Sequence, residues 1–240
     1  MISAPLGAPR SGESSIGRVS RVARYDGVAD YYDEHLRKFT LASTEVIREL
    51  LGPGPGQCLD LGCGTGLHFA TLAELGWTIT GVDVSADQLR LANGRAAASE
   101  LVQADASVLP FADARFDVVA SIFTHTDMDD YAAAVREGTR VLAHGGRFVH
   151  VGLHPCFAGP FSRYTGEDTP PELFLGYRDS GWTDDAPGLG EGLRRMVGTF
   201  HLPLAGLLQA FADAGLLLDR FLEPPGAAFP RVFAVAGLKP

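Results

Sequence analysis

Hydrophobic residues along the chain follow two spacings that alternate with each other. Short runs in which most positions are apolar, bounded by turn residues, lie at 57–62, 78–85, 101–106, 116–123 and 147–153. Runs of this length are typical of strands, and a run that is apolar on both faces is typical of a buried parallel strand. Stretches with apolar residues at helical spacing lie between them, at 67–76, 85–98 and 129–146. This alternation predicts an α/β fold, in which a parallel sheet carries helices on both faces.

The two ends of the chain add elements to this pattern. Apolar residues at helical spacing run from Gly27 to Leu51 and stop at the sequence GPGPG. Near the other end, residues 203–216 predict a helix, and residues 216–224 and 231–240 predict two closing strands. The sheet is therefore expected to hold seven strands.

Residues 154–200 interrupt the rhythm of strand and helix. The segment is rich in Gly, Pro, Asp and aromatic residues, and it is too long for an ordinary connection. It is either a surface excursion or a lid over a site. Five aromatic residues between Phe161 and Trp182 favour the lid, because solvated loops seldom contain so much ring surface. We expect a single domain over 21–240, with this segment as a cap between the fifth strand and the last helix.

Composition narrows the kinds of partner. The 240 residues carry a formal net charge of −9 and no basic cluster, which argues against a nucleic-acid partner. No apolar run approaches the roughly 18 residues of a membrane span, so no membrane contact is expected. Residues 1–20 lack the apolar stretch of a signal peptide and are expected to form a flexible leader. Three cysteines, an odd and sparse set, suit a reducing cytosol, so a cytoplasmic protein is predicted.

A glycine-rich turn, LDLGCGTG at 59–66, directly follows the first strand. Ligands of open α/β sheets bind beyond the carboxyl ends of the strands, so Gly62 to Gly66 are expected to line a ligand site. Leu67 stands where a dinucleotide fingerprint needs its third glycine, and the turn contains no Lys or Arg for a phosphate. Asp60 would repel a phosphate and suits a ligand that is cationic at that end.

The turn and the residues after the next two strands resemble the class I S-adenosylmethionine-dependent methyltransferases. The family's first motif is similar to CLDLGCGTG almost letter for letter, one acid closes the second strand, and another follows the third. The resemblance extends from about Tyr25 to Leu238, although 154–200 matches nothing specific. It implies a Rossmann-like three-layer sandwich whose mostly parallel seven-stranded sheet has an antiparallel last strand. It also implies S-adenosylmethionine as the cofactor and S-adenosylhomocysteine as its product.

The resemblance assigns the glycine turn to the methionine and ribose parts of this cofactor. Asp60 and the carbonyl near Gly62 are expected to hold the α-ammonium group, with Cys63 in the same turn and Gly64 allowing close approach. Asp83, at the end of the second strand, is expected to accept both ribose hydroxyls, as the acid of the dinucleotide fold does. The alternative for Asp83 is a cap of the following helix.

The same resemblance assigns residues after the next strands. Val84 is expected to pack against adenine, Asp105 to accept its amino group, and the Ala106 amide to face a ring nitrogen. Asp105 alternatively belongs to a simple turn. Ser121 and Phe123, which follow the fourth strand, are expected to border the methionine end.

An N-terminal cover helix, at about 25–51, is also implied. In the family a tyrosine of this helix often closes over the cofactor, and Tyr25 or Tyr31 is the candidate here. The alternative is that both rings belong to the hydrophobic core, as tyrosines at helical spacing commonly do.

Methyl transfer needs a base only when the acceptor is protonated. His125 is the first candidate, because it lies two residues from Asp127 at the end of a strand, where a carboxylate can fix its tautomer and set its pKa near neutrality. His154 after the fifth strand comes next, followed by Tyr164 in the insertion and His201 before the last helix. An ordinary loop histidine is the alternative for His125. His144 and His150 are expected to be structural. His68, in the helix after the glycine turn, is expected to pack, with ligand contact as its alternative.

A cluster of acids after the fourth strand permits a metal-assisted alternative. Asp127, Asp129 and Asp130 stand at a predicted helix start, where an N-cap and favourable dipole charges explain them more simply. A further acid or amide, which an octahedral oxygen site would need, is lacking. No metal is therefore predicted.

The acceptor is predicted by elimination to be a small, largely apolar molecule. The chain has neither a basic face nor the [ND]-P-P-[YFW] stretch of amino-group methyltransferases, and its aromatic insertion suggests enclosure. The segment 201–224 resembles stand-alone bacterial small-molecule methyltransferases, including those of specialised metabolism. A monomer or a homodimer is expected.

Two hypotheses from different classes remain open on the sequence. The first is a methyltransferase acting on O, N or C. The second is a protein of the same fold that binds the cofactor without transferring methyl, such as a cyclase or a regulatory binder. A dinucleotide-dependent dehydrogenase is a distant third.

Overall fold

The computed structural model describes residues 23–95, 97–166 and 168–240. The leader predicted at 1–20 lies outside the described residues. Two helices come first, α1 (Ala29–Leu41) and α2 (Thr44–Leu51). The sequence pattern predicted helix throughout this region, but the chain bends between the two helices. At the bend the Thr44 hydroxyl donates to the carbonyl of Leu41 at 2.7 Å, a local bond that competes with continued helix.

Strands and helices then follow in the predicted order. They are β1 (Gln57–Leu61), α3 (Phe69–Glu74), β2 (Thr78–Asp83), α4 (Ala86–Asn93), β3 (Ala98–Gln103), β4 (Phe116–Ile122), α5 (Tyr131–Val141) and β5 (Leu142–Leu153). Ser85 caps α4 by accepting a hydrogen bond from the Gln88 amide at 3.2 Å. The helix predicted at 85–98 ends early, because Ala98 already pairs with Ile79 of β2.

The helix α5 is shorter than predicted, and β5 begins at Leu142 instead of Arg147. Leu142 pairs with Phe116 of β4, which draws it into the sheet. The Lys239 ammonium donates to the carbonyls of Thr139 and Leu142 at 2.8 and 2.7 Å. A side chain from the far end of the chain therefore satisfies the last carbonyls of this helix, which no local pattern reveals.

The predicted insertion contains short elements of its own. They are β6 (Ser162–Arg163), β7 (Glu172–Leu173), β8 (Gly181–Thr183), α6 (Leu193–Val197) and β9 (Thr199–His201). β6 pairs with β7 and β8 with β9, both antiparallel, so the segment is built as two small ribbons beside the main sheet.

The chain closes with α7 (Leu204–Asp213), β10 (Leu217–Leu222) and β11 (Val232–Leu238). The main sheet has seven strands in the order β10-β11-β5-β4-β1-β2-β3. β1 to β5 pair in parallel, and β11 is antiparallel to both β10 and β5. The predicted fold, including the antiparallel last strand, is confirmed. Of the helices in the described part of the chain, none is long and apolar enough to cross a membrane.

Two hydrophobic cores cover the two faces of the sheet. On one face α5 and α7 pack on the strands, and the rings of Phe148 and Phe211 meet edge to face at 5.2 Å. On the other face α2 and α3 contribute Ile47, Leu50 and Phe69, all fully buried. Because both faces are covered, a ligand can reach the sheet only at the ends of the strands.

The packing of α5 on β5 generates a test of the first core. In a helix interior, alanine is more stabilising than glycine by about 1 kcal/mol. A Cβ at Gly138, however, would lie 2.5 Å from Cε2 of the buried Phe148 ring. We therefore expect Gly138→Ala to lower the free energy of unfolding by about 1–3 kcal/mol in urea denaturation. Adding Phe148→Leu should recover part of this loss, and a Gly138→Ala variant more stable than wild type would refute the close packing.

Candidate functional site

A cavity of about 360 Å³ lies at the carboxyl ends of β1, β2, β3 and β4. Turns after all four strands line it, and the start of α1 and the segment before it close it from above. Predicted cofactor residues in its wall are Tyr25, Asp60, Gly62, Cys63, Gly64, Asp83, Val84, Asp105, Ala106 and Phe123. The sheet thus brings most of the predicted residues to one place.

The glycine turn gives the cavity its floor. Gly62 and Gly64 have φ angles of 72° and 55°, in the region that favours glycine. The amides of Gly62 and Cys63 both donate to the carbonyl of Val82, at 2.8 and 2.9 Å, which anchors the turn to β2. A Cβ at Gly62 would lie 2.6 Å from Cγ2 of Thr124. The turn therefore exposes backbone at a position where a side chain would clash.

Two carboxylates face the cavity beside this turn, Asp60 buried and Asp83 half-buried. Burial raises the pKa of Asp60 to about 7, with a further contribution from the charge of Asp83. Burial also raises the pKa of Asp83 to about 6, although hydrogen bonds from the amides of Ser85 and Gly64, each 2.9 Å long, oppose the shift. Neither acid takes part in the ion pairs recorded for the described residues. Desolvated carboxylates of this kind favour a cationic ligand.

Further polar groups in the wall fit a nucleoside. Asp105 accepts hydrogen bonds from the amide and the hydroxyl of Ser107, at 2.7 and 2.6 Å, which fixes the carboxylate after β3. The amide oxygen Oε1 of Gln88 is buried in the wall and has no hydrogen-bond partner among the described residues. A buried acceptor without a partner is rare in folded proteins, so it indicates a ligand that donates hydrogen bonds.

The N-terminal segment and the insertion meet over the cavity. Tyr25 donates a hydrogen bond to Asp127 at 3.0 Å, and Arg194 of α6 pairs with the same carboxylate. Arg24 lies over the ring of Trp182, 3.6 Å from its centroid, and pairs with Asp129. Residues of the insertion hold the cover in place, although none of them lines the cavity.

Two predicted cofactor residues lie outside the cavity wall. Tyr31 stacks on His35 with ring centroids 4.1 Å apart, and the next residue of α1, Tyr32, lines the cavity instead. Ser121 is fully buried below the wall, where it hydrogen-bonds Thr124 and lies 2.9 Å from the hydroxyl of Tyr131. Its partner Thr124 is the residue that reaches the cavity.

The structure does not bring the predicted bases to the cavity. His125 is buried at 2% exposure, and its ring lies 4.9 Å from the ring of His150. Burial, together with His150, lowers the pKa of His125 well below its ordinary value, so the predicted pKa near neutrality is wrong. The expected contact with Asp127 is also absent among the recorded hydrogen bonds, because Asp127 binds Tyr25 and Arg194. Phe123 has a φ of 55°, and at this turn Phe123 and Thr124 face the cavity while His125 faces the core.

The other candidate bases have partners elsewhere. His154 Nε2 lies 2.8 Å from a carboxylate oxygen of Glu223. The Tyr164 hydroxyl donates to the carbonyl of Pro230 at 3.4 Å, and its ring lies against the Arg231 guanidinium. His201 Nε2 is 2.7 Å from the carbonyl of Tyr177. These residues stabilise the insertion and its junction with the closing strands, and none lines the cavity.

The acids after β4 pair with other residues of this chain. Asp127 pairs with Arg194, Asp129 with Arg24, and Asp130 caps α5 by accepting from the Ala133 amide at 2.8 Å. In the described part of the chain no three Cys, His, Asp or Glu side chains are grouped as metal ligands would be.

Several wall residues were not predicted from the sequence. They are Arg24, Tyr32, Thr40, His68, Gln88, Ser107, Thr124 and Met128. Thr124 and Ser107 adjoin predicted residues. The rule that ligands bind beyond the carboxyl ends of strands could therefore have identified them as well. His68 was expected to pack, and the structure does bury it, but in the cavity wall. Whether Tyr32 and Gln88 face the cavity depends on how α1 and α4 are rotated about their axes, for which the sequence gives no local signal.

Comparison with known proteins finds methyltransferases that resemble part of this chain. Residues 59–150 match the family model described as a methyltransferase domain. A demethylmenaquinone methyltransferase of Renibacterium salmoninarum is 33% identical over 145 residues, which cover 58% of this chain and 61% of that protein. A 27-O-demethylrifamycin SV methyltransferase of Amycolatopsis mediterranei is 33% identical over 130 residues, which cover 49% and 47%. The chain spans about half to three fifths of the length of these curated relatives.

Solved structures share the fold. The 1,6-didemethyltoxoflavin-N1-methyltransferase of Burkholderia thailandensis, solved with 1,6-didemethyltoxoflavin and S-adenosylhomocysteine, has a TM-score of 0.61 at 19% identity, covering 99% of this chain and 93% of that one. The [4+2]-cyclase SpnF has a TM-score of 0.53 at 23% identity, covering 75% and 57%. At these identities the likeness concerns the fold.

Asp83 provides a test of the cofactor site. We expect Asp83→Ala to weaken S-adenosylmethionine binding at least tenfold in calorimetry, because it removes an acceptor from the wall and leaves the Gly64 amide unpaired. The matched control is Asp113→Asn, an exposed carboxylate paired with Arg140 outside the cavity, which should bind as wild type does. Unchanged affinity in Asp83→Ala would contradict the assignment.

The raised pKa values of Asp60 and Asp83 generate a pH prediction. Below pH 7 these acids become protonated in the ligand-free protein and lose the charge that attracts a cation. Affinity for S-adenosylmethionine should therefore fall at least tenfold between pH 8 and pH 5.5. Near pH 7, binding should release protons, measured by titration in buffers of different ionisation enthalpy. Asp60→Asn should remove the part of the pH dependence that lies near pH 7. Proton uptake on binding would contradict the prediction.

Proposed function

We propose that this chain is a class I S-adenosylmethionine-dependent methyltransferase that transfers the cofactor's methyl group to a small, largely apolar molecule in bacterial natural-product biosynthesis. The observation that carries the proposal is the cavity itself. Its wall combines two kinds of lining, the carboxylates of Asp60, Asp83 and Asp105 and apolar side chains that include Leu67, Ile122 and Phe123. One kind suits the cationic cofactor and the other an apolar acceptor.

The cofactor fits the acidic lining. Asp60 and the backbone near Gly62 would hold the α-ammonium group, Asp83 with Gln88 the ribose hydroxyls, and Asp105 with the Ala106 amide the adenine. The buried, unpaired Oε1 of Gln88 and the desolvated carboxylate of Asp60 are what a donor-rich, positively charged ligand would satisfy. Bound there, the cofactor supplies an electrophilic methyl group.

The chain's own residues then contribute orientation and exclusion of water. Tyr25, Tyr32 and Phe123 enclose the cavity, and the ion pair between Arg194 and Asp127 fixes the cover. Holding two reactants aligned in a dry site can supply about 7–11 kcal/mol of the barrier. The residues 154–200 are proposed to act as the lid that keeps this cover closed.

The acceptor class follows from the shape and chemistry of the site and from the relatives. The wall offers no basic patch for a nucleic acid, and the cavity is too small for a folded protein segment. Proteins similar to this chain are named for menaquinone, rifamycin and toxoflavin substrates, all small molecules. We assign the chain to the cytoplasm, in keeping with its free cysteines Cys58, Cys63 and Cys156, and as a monomer or homodimer.

A second candidate function is catalysis without methyl transfer. The fold is shared with a [4+2]-cyclase, so the architecture alone does not separate the two activities. In a cyclase of this kind the cofactor would be held as described and remain unchanged while the second ligand rearranges.

Product analysis separates these two functions. With S-adenosylmethionine and a panel of small aromatic and polyketide-like acceptors, we expect S-adenosylhomocysteine to form in step with a methylated product. Asp83→Ala should lower this rate at least tenfold at subsaturating cofactor, and Asp113→Asn should keep it. Rearrangement of an acceptor with the cofactor intact would favour the cyclase. Absence of any S-adenosylhomocysteine across the panel would defeat the proposed methyl transfer.

A further inference from the structure

His68 is a buried histidine whose ring nitrogens both lack a hydrogen-bond partner among the described residues. The side chain is 5% exposed and forms part of the cavity wall. Leaving two buried polar atoms unpaired costs free energy, and folded proteins rarely tolerate it without a reason. Neither nitrogen is exposed to the cavity, so a polar ligand group pairs with one of them only if the ring turns or a neighbouring wall residue moves.

His68 follows the glycine turn and directly precedes Phe69, which belongs to the core on the α2 and α3 face of the sheet, together with Ile122. Phe123 packs on the same core and meets Phe39 of α1 at 5.4 Å. The wall on the adenine side, at Ala106, packs instead on the α5 and α7 core. The segment that carries His68 is therefore continuous with the side of the sheet that supplies Ile122 and Phe123, the apolar wall residues proposed to face the acceptor.

The imidazole is neutral in this setting. Burial lowers the pKa of His68 to about 4, so at neutral pH it carries one N–H donor and one unprotonated nitrogen. An acceptor with a hydroxyl group can donate to the unprotonated nitrogen. A carboxylate could use only the N–H, and a protonated amine has no lone pair with which to attack the methyl group.

We propose that His68 binds the nucleophilic hydroxyl group of the acceptor and takes its proton, so that the acceptor is an alcohol, a phenol or an enol. This inference rests on the proposed methyl transfer. The acceptor oxygen forms a bond to the methyl carbon while the S–CH₃ bond breaks, its electron pair staying on sulfur in S-adenosylhomocysteine. The O–H proton moves to the unprotonated nitrogen of His68, and the imidazolium releases it to solvent after the product leaves.

A weakly basic imidazole is sufficient for this step. As the new O–C bond forms, the acceptor oxygen develops oxonium character, and its proton becomes far more acidic than that of the free alcohol. His68 therefore needs no raised pKa, and the neutral form is already present across the physiological pH range.

The experiment compares His68→Leu, His68→Gln and a control, His144→Gln, an exposed histidine next to the last residue of the chain. With S-adenosylhomocysteine bound, ¹⁹F NMR titrations measure the affinities of 4-fluorophenol and 4-fluorotoluene, which differ in the hydroxyl group and little in size. We expect wild type and His144→Gln to prefer the phenol at least fivefold, and His68→Leu to lose this preference. Binding of S-adenosylmethionine should change less than threefold in either His68 variant.

Measurements of stability and turnover distinguish a His68 that binds the acceptor from one that only packs. His68→Leu removes two unpaired buried polar atoms, so the ligand-free variant should unfold at the same temperature as wild type or a higher one. With a hydroxylated acceptor from the panel, His68→Gln should keep acceptor affinity within fivefold and lose at least fiftyfold in kcat, because an amide hydrogen-bonds but takes no proton.

Several outcomes would overturn the proposal. They are equal or absent binding of both fluorinated probes by wild type, a preference that survives in His68→Leu, and a loss of cofactor affinity as large as the loss of acceptor affinity. A lower unfolding temperature with acceptor binding intact would likewise show that His68 serves packing. The probe titration requires no turnover, so its failure is distinguishable from a failure of methyl transfer, which appears as absence of S-adenosylhomocysteine from wild-type assays.

Discussion

Two desolvated carboxylates, without a cationic partner among the described residues, are the constraint around which the site is organised. Asp60 lies within the interior strand β1 and Asp83 at the end of its neighbour β2, and burial raises the pKa of both. Ionised carboxylates in such a place oppose folding, and the amides of Gly64 and Ser85 offset only part of the cost for Asp83. A positively charged ligand that binds the folded chain would offset the remainder. The site is in this sense incomplete without its cofactor.

The sheet topology turns this local constraint into a cavity. Parallel strands end at the same edge, so the turns after β1, β2, β3 and β4 converge on one space. The cover over that space depends on distant parts of the chain, since Tyr25 and Arg194 meet on the single carboxylate of Asp127. Arg24, Tyr25 and Tyr32 of this cover line the cavity, whereas the described residues of the insertion hold the cover from outside, as the proposed lid would.

A second polar network below the wall explains why a histidine at the end of β4 does not reach the ligand. Ser121, Tyr131 and His150 form a chain of hydrogen bonds beneath Thr124, and His125 packs against the ring of His150. This network holds Thr124 in the wall and places His125 in the core. His68, which follows the glycine turn, is the histidine that lines the cavity among the described residues. His125 also has an unpaired ring nitrogen, but its ring lies against His150 and Tyr131 in the core.

Sequence patterns predict the order of strands and helices, the glycine turn, the acids after two neighbouring strands and a cationic ligand. Those features are local, because strand periodicity, turn chemistry and the position of a residue at a strand end depend on adjacent residues. Three other features emerge only from the folded chain. Tyr32 and not Tyr31 faces the cavity, α5 gives way early to β5, and His125 is buried in the core while His68 lies in the cavity wall. Side-chain direction after a strand depends on a single backbone angle, as at Phe123, and on partners more than a hundred residues away, as for Tyr25 and Asp127. Neither leaves a periodic signal along the chain.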